Sequence, residues 1–301
     1  MVDTRRLKRC ELLSARVGSS PTLGTMTQEN GKKRIGIFDS GFGGLHVTRS
    51  IVNALPQYEY LYLGDSARAP YGDRSQETIY EFTRQAVEFL FANDCELVIL
   101  ACNTASSEAL RRLQQEYLPE RHPGKRILGV LIPAAEDAIE RSSNKRIGVI
   151  ATHGTVASGA YLRELAKFDT SVKVFQKACP LLVPIVESGD QDSPEMDTIL
   201  KRYLAPLLQE SIDTLILGCT HYGILEDKIR TIIGPYIHIV SSTDVVPDKL
   251  KVYLEKHPEL EARLGKNAQM QFYSTDRTDN FKRLGGIFFG EPIEVEQARL
   301  D

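Results

Sequence analysis

The sequence predicts an α/β protein made of two pseudo-symmetric open parallel-sheet domains, with the active site in the cleft between them. Three observations predict this. From Arg34 onward, short apolar runs alternate with glycine-bearing loops and helical stretches, the pattern of a parallel sheet covered by helices on both faces. The run Arg34-Ile35-Gly36-Ile37-Phe38-Asp39-Ser40 returns as Arg146-Ile147-Gly148-Val149-Ile150-Ala151-Thr152. Two further apolar runs each end in a cysteine, Leu97-Val98-Ile99-Leu100-Ala101-Cys102-Asn103-Thr104 and Thr214-Leu215-Ile216-Leu217-Gly218-Cys219-Thr220-His221. Matching order and near-matching spacing of the two pairs indicate an internal duplication.

Taken in order, Ile35 to Phe38 is a buried strand, followed by the loop Asp39-Ser40-Gly41-Phe42-Gly43-Gly44 and a helix from Leu45 to Leu55. Tyr58 to Leu63 is the second strand, ending in Gly64-Asp65-Ser66. Apolar spacing through Ile79, Phe82, Ala86, Phe89 and Leu90 makes a helix of Thr78 to Ala92. The strand that ends at Cys102 comes next, with a helix from Ala105 to Tyr117. The alternation restarts after residues 119–125 with a strand from Ile127 to Leu131 and a helix from Pro133 to Arg141. Strands at Arg146–Thr152 and Val172–Phe175 follow, then helical segments at Leu182–Glu187 and Thr198–Glu210, then the strand before Cys219. The tail adds a helix at Val245–Lys256 and short strands near Met270–Tyr273 and Ile293–Val295. It is too small to stand alone, so it is expected to complete the first half. The first domain is then discontinuous, residues 34–128 with 242–301, and residues 129–241 form the second.

At 301 residues the chain has room for two such domains, and its 42% hydrophobic and 26% charged content is ordinary for a soluble globular protein. A formal charge of −3 gives no electrostatic reason to expect nucleic acid or an anionic membrane as partner. No apolar run is long enough to span a bilayer. Five cysteines in so long a chain read as reduced thiols in a cytoplasmic protein rather than a disulfide framework. Residues 1–33 differ from the rest: Arg5, Arg6, Lys8, Arg9 and Arg16 precede a polar stretch with no apolar core for a secretory signal. They are expected to be a disordered extension, with Met26 as the natural initiator; a transit peptide is the competing reading.

Both Cys102 and Cys219 stand at strand tips ahead of predicted helices, the crevice where open α/β sheets bind ligands. There the unpaired N–H groups of a helix start favour the thiolate. Cys10, Cys95 and Cys179 have no such context and are expected to be inert. No CxxC pair is present, and only Cys219 and His221 lie close enough to suggest a shared metal, so neither redox nor zinc chemistry fits. Nucleophilic catalysis would leave the second thiol unexplained. Two thiols serving as base and acid on opposite faces of one carbon use both, and the result is stereochemical inversion. Asp39-Ser40-Gly41 lets backbone N–H groups approach a carboxylate, and Asn103, Thr104, Thr220 and His221 supply polar contacts beside the thiols. Helix N-capping is a competing role for Asn103 and Thr220. The Gly41-Phe42-Gly43-Gly44 loop has neither a P-loop ending nor a GxGxxG pattern, so a nucleotide is not expected. His46, His122, His153, His238 and His257 have no repeated context and are expected to be structural or solvated.

With these residues assembled, the chain resembles the glutamate racemases of the aspartate/glutamate racemase superfamily, from about Arg34 to Gly290. The resemblance rests on Gly36-Ile37-Phe38-Asp39-Ser40-Gly41, on Gly64-Asp65-Ser66-Ala67-Arg68-Ala69-Pro70-Tyr71-Gly72, on Ala101-Cys102-Asn103-Thr104-Ala105 and on Gly218-Cys219-Thr220-His221-Tyr222. It implies cofactor-independent interconversion of L- and D-glutamate, with no pyridoxal phosphate, metal or nucleotide, supplying D-glutamate for peptidoglycan and so for cell shape. By the same resemblance Cys102 would take the α-proton of D-glutamate and Cys219 that of L-glutamate. Asp39 would assist the Cys102 side, and His221 and Glu187 the Cys219 side. Substrate would be held by Asp39-Ser40, Tyr71-Gly72, Asn103-Thr104 and Thr220-His221. Asp65 is a less certain position, since it could equally cap its loop. The family forms dimers, which implies a homodimer here, and some relatives carry a regulatory N-terminal extension.

One departure is visible: Gly223 stands where the family commonly has proline after Cys-Thr-His-Tyr, which loosens the following turn. Two alternatives stay open. An aspartate racemase of the same superfamily would tend to carry an acidic residue after the Cys-Thr pair, where this chain has His221. A non-catalytic amino-acid-binding regulatory protein would have no need of two matched thiols.

Overall fold

Ten strands in the computed structural model, which describes residues 33–276 and 279–300, form two sheets in which every pairing is parallel. Most of the extension expected over 1–33, Cys10 included, lies outside the described residues. In chain order the strands are β1 (Arg34–Asp39), β2 (Tyr60–Gly64), β3 (Cys95–Leu100), β4 (Arg126–Gly129), β5 (Arg146–Ala151), β6 (Lys173–Ala178), β7 (Thr214–Gly218), β8 (His238–Val240), β9 (Met270–Ser274) and β10 (Val295–Gln297). The larger sheet runs β10-β9-β2-β1-β3-β4 and the smaller β6-β5-β7-β8.

The duplication is written in this order. β2-β1-β3-β4 and β6-β5-β7-β8 are the same arrangement, with β1 matching β5 and β3 matching β7. The tail contributes β9 and β10, which extend the larger sheet beyond β2. In such sheets the chain leaves the first strand in one direction and returns to its other side, which opens a crevice at the C-terminal ends of the two central strands. Here those are the ends of β1 with β3, and of β5 with β7. β2, β3 and β7 are buried along their whole length, which explains why they read in the sequence as unbroken apolar runs rather than alternating ones.

Helices cover the sheets at the positions their periodicity implies. Gly44–Ala54 buries Leu45, Val47, Thr48 and Ile51 and packs against Ser242–Lys256, where the chain re-enters the region of the larger sheet. Gln76–Ala92 starts two residues earlier than its apolar pattern, because Ser75 caps it by accepting the Thr78 N–H. Among the described residues no helix is long and apolar enough to cross a membrane.

Two local expectations are corrected, and one strand was not expected. The helix expected from Ala105 to Tyr117 is broken into Asn103–Glu108, Leu110–Arg112 and a wide π turn at Leu113–Tyr117. The break falls at Ala109, whose φ of −112° departs from helical values, and the Leu118 N–H reaches back to the Leu113 carbonyl. The wide turn leaves both Leu113 and Tyr117 buried. After Cys219 the chain winds as a 3-10 helix, Thr220–Leu225, and an α-helix begins only at Glu226. Finally, β8 is a three-residue strand that carries no periodic signal of its own and exists because β7 offers it an edge.

Close packing at the end of β1 gives a test. A Cβ built at Gly44 would lie 2.3 Å from the Asp39 Cβ. Helix propensity alone would favour alanine there, but the helix cannot sit this close to the strand with a methyl group between them. Gly44→Ala should therefore lower stability by about 1–3 kcal/mol, the usual cost of overpacking, read by denaturant unfolding. A variant as stable as the parent would show that this contact is not tight.

Candidate active site

The ends of all four central strands meet at one cavity of about 310 Å³. Ser40, Tyr71, Gly72, Cys102, Asn103 and Thr104 line it on the side of the larger sheet, and Thr152, Cys179, Glu187, Cys219, Thr220 and His221 on the other. Of the site residues expected from the sequence, Asp39 is missing from the lining, as is the less certain Asp65. Asp39 lies behind the wall, fully buried.

Cys102 closes the loop after β3 and is itself the N-cap of Asn103–Glu108: its Sγ accepts the Ala105 N–H at 3.4 Å, and the Ser40 hydroxyl lies 3.3 Å away. Capping is therefore done by the thiol, not by Asn103, which is left to face the cavity. These contacts favour a thiolate, as the helix start was expected to. Burial outweighs them. Together with the charge of Asp39 it pushes the Cys102 pKa up to about 12, so the thiol holds its proton at neutral pH.

Cys219 is placed differently. No backbone group caps onto its sulfur, because the segment behind it is the 3-10 turn. Its partner is His221, with Nδ1 3.9 Å from the sulfur and Nε2 3.0 Å from the Glu187 carboxylate. Burial opposes a charged imidazole, but the hydrogen bonds to Cys219 and Glu187 prevail and push the His221 pKa up to about 10. An imidazolium thus stands beside Cys219 at neutral pH, stacked edge-on against Phe288. Gly43 makes this possible: a Cβ there would fall 2.4 Å from Thr220 Oγ1 and 2.6 Å from His221 Nδ1.

Asp39 joins the two sides. Its Oδ2 accepts the Gly41 N–H at 2.9 Å and its Oδ1 the Thr220 hydroxyl at 3.3 Å. Burial raises its pKa on balance, against the lowering effect of the His221 charge and the Gly41 and Gly44 N–H groups. The Gly41 N–H, expected to meet a substrate carboxylate, is spent on Asp39 instead. The turn Ser66–Arg68 and the loop after it are held by a second buried carboxylate, Asp65, which accepts from Arg68 Nε at 2.7 Å, from Thr275 at 2.9 Å and from the Tyr71 hydroxyl. Gly72 is placed by the main chain: its carbonyl accepts the Gly154 N–H at 2.8 Å, and the Thr104 and Thr152 hydroxyls meet beside it at 3.0 Å. Gly223 faces His46, whose Nδ1 would lie 3.0 Å from a Cβ at that position, so an imidazole fills the space into which a side chain would project.

The cavity also contains groups that the sequence reading passed over. Cys179, expected to be inert, lines it next to Pro180, Val183 and Pro184, an apolar wall. Burial pushes its pKa up to about 12, and its sulfur lies 3.5 Å from the Lys177 carbonyl. Thr152 and His153 contribute as well. The repeat held the signal for two of these. Thr152 aligns with Ser40, and Cys179 follows β6 as Asp65 follows β2.

The His221 contacts have a consequence for stability. A folded pKa raised above the ordinary 6.5 to about 10 stabilises the fold fully below about pH 6.5, and that contribution is lost as pH rises through about 10. The stability margin of the parent over His221→Asn, measured by denaturant unfolding across this range, should shrink as pH rises. A margin independent of pH would contradict the charged imidazole.

Comparison with known proteins gives a consistent result. The model of the Asp/Glu/Hydantoin racemase family matches residues 35–246. A glutamate racemase of Sulfurihydrogenibium sp. is 38% identical over 267 residues, covering 88% of this chain and 97% of its own. The crystal structure of a glutamate racemase isoform from Bacillus anthracis superimposes with a TM-score of 0.82 at 36% identity, covering 89% of this chain and 98% of that one. That of a Francisella tularensis glutamate racemase in complex with D-glutamate does so with a TM-score of 0.81 at 30% identity, covering 90% and 98%.

Proposed function

The chain belongs to the Asp/Glu/Hydantoin racemase family, and from that premise we propose that it interconverts L- and D-glutamate without a cofactor, its two cavity thiols serving as base and acid. One observation carries the mechanism: Cys102 and Cys219 occupy matching strand tips of a duplicated sheet and line the same cavity. A substrate carbon between them would have a sulfur on each face.

Each step balances. With L-glutamate bound, the Cys219 thiolate takes the α-proton, and the electron pair left on carbon spreads into the α-carboxylate. The Cys102 thiol then delivers its proton to the opposite face, giving D-glutamate, a Cys219 thiol and a Cys102 thiolate. The electrostatics suit this starting state, because burial keeps the Cys102 proton in place and the His221 cation stands beside Cys219. His221, positioned by Glu187, stabilises charge on the Cys219 side. Asp39 acts from behind the wall through Thr220 and its field on Cys102. Ser40, Tyr71, Gly72, Asn103, Thr104 and Thr220 surround the polar ends of the substrate. The apolar wall at Val183 and Pro184 fits its methylene groups. The same reading extends to a cytoplasmic homodimer that supplies D-glutamate for peptidoglycan.

Enantiomers have equal free energy in solution, so kcat/KM must be the same in both directions, for the parent and for every variant. The unequal thiols can show only in kcat and KM taken separately. Cys102→Ser and Cys219→Ser should each lower kcat/KM by about 10²–10⁴-fold, the range for loss of a general acid or base. Circular dichroism on each glutamate enantiomer, with aspartate as control, reads this. Near-parental turnover by either variant would overturn the two-thiol mechanism, and equal turnover of aspartate would overturn the substrate assignment.

A further inference from the structure

Asn103 is buried at the cavity wall directly after Cys102. Its Oδ1 accepts a hydrogen bond from the Tyr161 hydroxyl at 2.8 Å, while its Nδ2 has no partner in the protein. A buried amide donor left without an acceptor is costly, and here the unused donor belongs to a residue that faces the cavity. A carboxylate of the substrate would satisfy it.

Which end of the amide faces the cavity depends on Tyr161. This residue lies in the helix Ala160–Phe168 and is fully buried. Burial raises its pKa, so the phenol keeps its proton at any working pH and can donate to Oδ1. Its ring is anchored at the other thiol: the Cε2 atom lies 3.0 Å from where a Cβ would stand on Gly218, the residue before Cys219. Tyr161 thus reaches from the base of one thiol tip to the first residue after the other.

We propose that Tyr161 is a positioning residue of the substrate site, holding the Asn103 amide so that Nδ2 and not Oδ1 meets the substrate carboxylate. An amide turned the other way would set a carbonyl oxygen against an anion. The proposal rests on the reading that the cavity takes glutamate. Tyr161 touches neither the substrate nor the reacting proton, and its effect is carried entirely through Asn103.

A double-mutant cycle tests this. Glutamate binding is measured by calorimetry, and KM and kcat by circular dichroism, for the parent, Tyr161→Phe, Asn103→Ala and the double variant. The phenyl ring keeps the packing on Gly218, so Tyr161→Phe should stay folded, with its unfolding midpoint lowered only by the one buried hydrogen bond that is lost. Its Kd and KM should rise about 3- to 10-fold, the scale of one lost hydrogen bond, with kcat changed less than about twofold. In the Asn103→Ala background Tyr161→Phe should add nothing. Parental Kd and KM in Tyr161→Phe would overturn the proposal, and so would the same weakening in both backgrounds. A parent that binds glutamate without racemising it would overturn the functional reading and leave the cycle readable from binding alone. A parent that binds neither enantiomer would overturn both.

Discussion

The buried carboxylate of Asp39 is the constraint on which the rest of the site depends. It ends β1 and ties down the following loop through the Gly41 N–H. It also reaches across to the Thr220 hydroxyl, beside Cys219. The matching position of the second half is Ala151, which has no charge to offer. The duplication is therefore broken at the point where the two halves meet. A carboxylate removed from water needs compensation, and the His221 cation supplies part of it. That cation stands beside one thiol only. Cys102 meets the opposite field, a buried anion behind it and no cation, and keeps its proton. One buried charge thus makes two equivalent strand tips chemically unequal.

The glycines around Asp39 belong to the same arrangement. Gly44 lets the helix start against the carboxylate, and Gly43 leaves room for Thr220 and His221. Side chains at either position would separate elements that must touch for Asp39 and His221 to share one small volume. On the far side of the cavity, Asp65 does comparable work for Tyr71, and the main-chain bond between Gly72 and Gly154 holds the two walls together. Polar groups thus hold the two walls in place, while Val183 and Pro184 leave one side apolar.

The parts of this arrangement that the sequence revealed were carried by repetition. The strand tips at Cys102 and Cys219 each follow an unbroken apolar run, and the β1 motif returns at β5, so the two-sheet architecture could be read before any coordinates. Contacts made by chain segments far apart in sequence could not. Nothing near Cys179 marks it as a cavity residue; only the match between the ends of β6 and β2 places it there. Tyr161 meets Asn103 because a helix of one half packs against a strand tip of the other, and no local pattern reports that. The helix start at Cys102 did suggest a lowered pKa, and the suggestion failed because local geometry says nothing about burial. The π turn after the break at Ala109 was hidden too, since its buried residues Leu113 and Tyr117 still lie four apart, a helical spacing.

The central claim is that two groups on opposite faces of one carbon share the proton transfer, and the fate of solvent deuterium tests it most directly. The reaction is started from a single glutamate enantiomer in deuterated water and stopped at low conversion. Product and recovered substrate are then analysed separately by mass spectrometry. Two thiols with separate protons predict deuterium at the α-carbon of nearly every product molecule and almost none in the recovered substrate. Product that retains the original hydrogen, or substrate that exchanges as fast as product forms, would mean that a single group serves both faces.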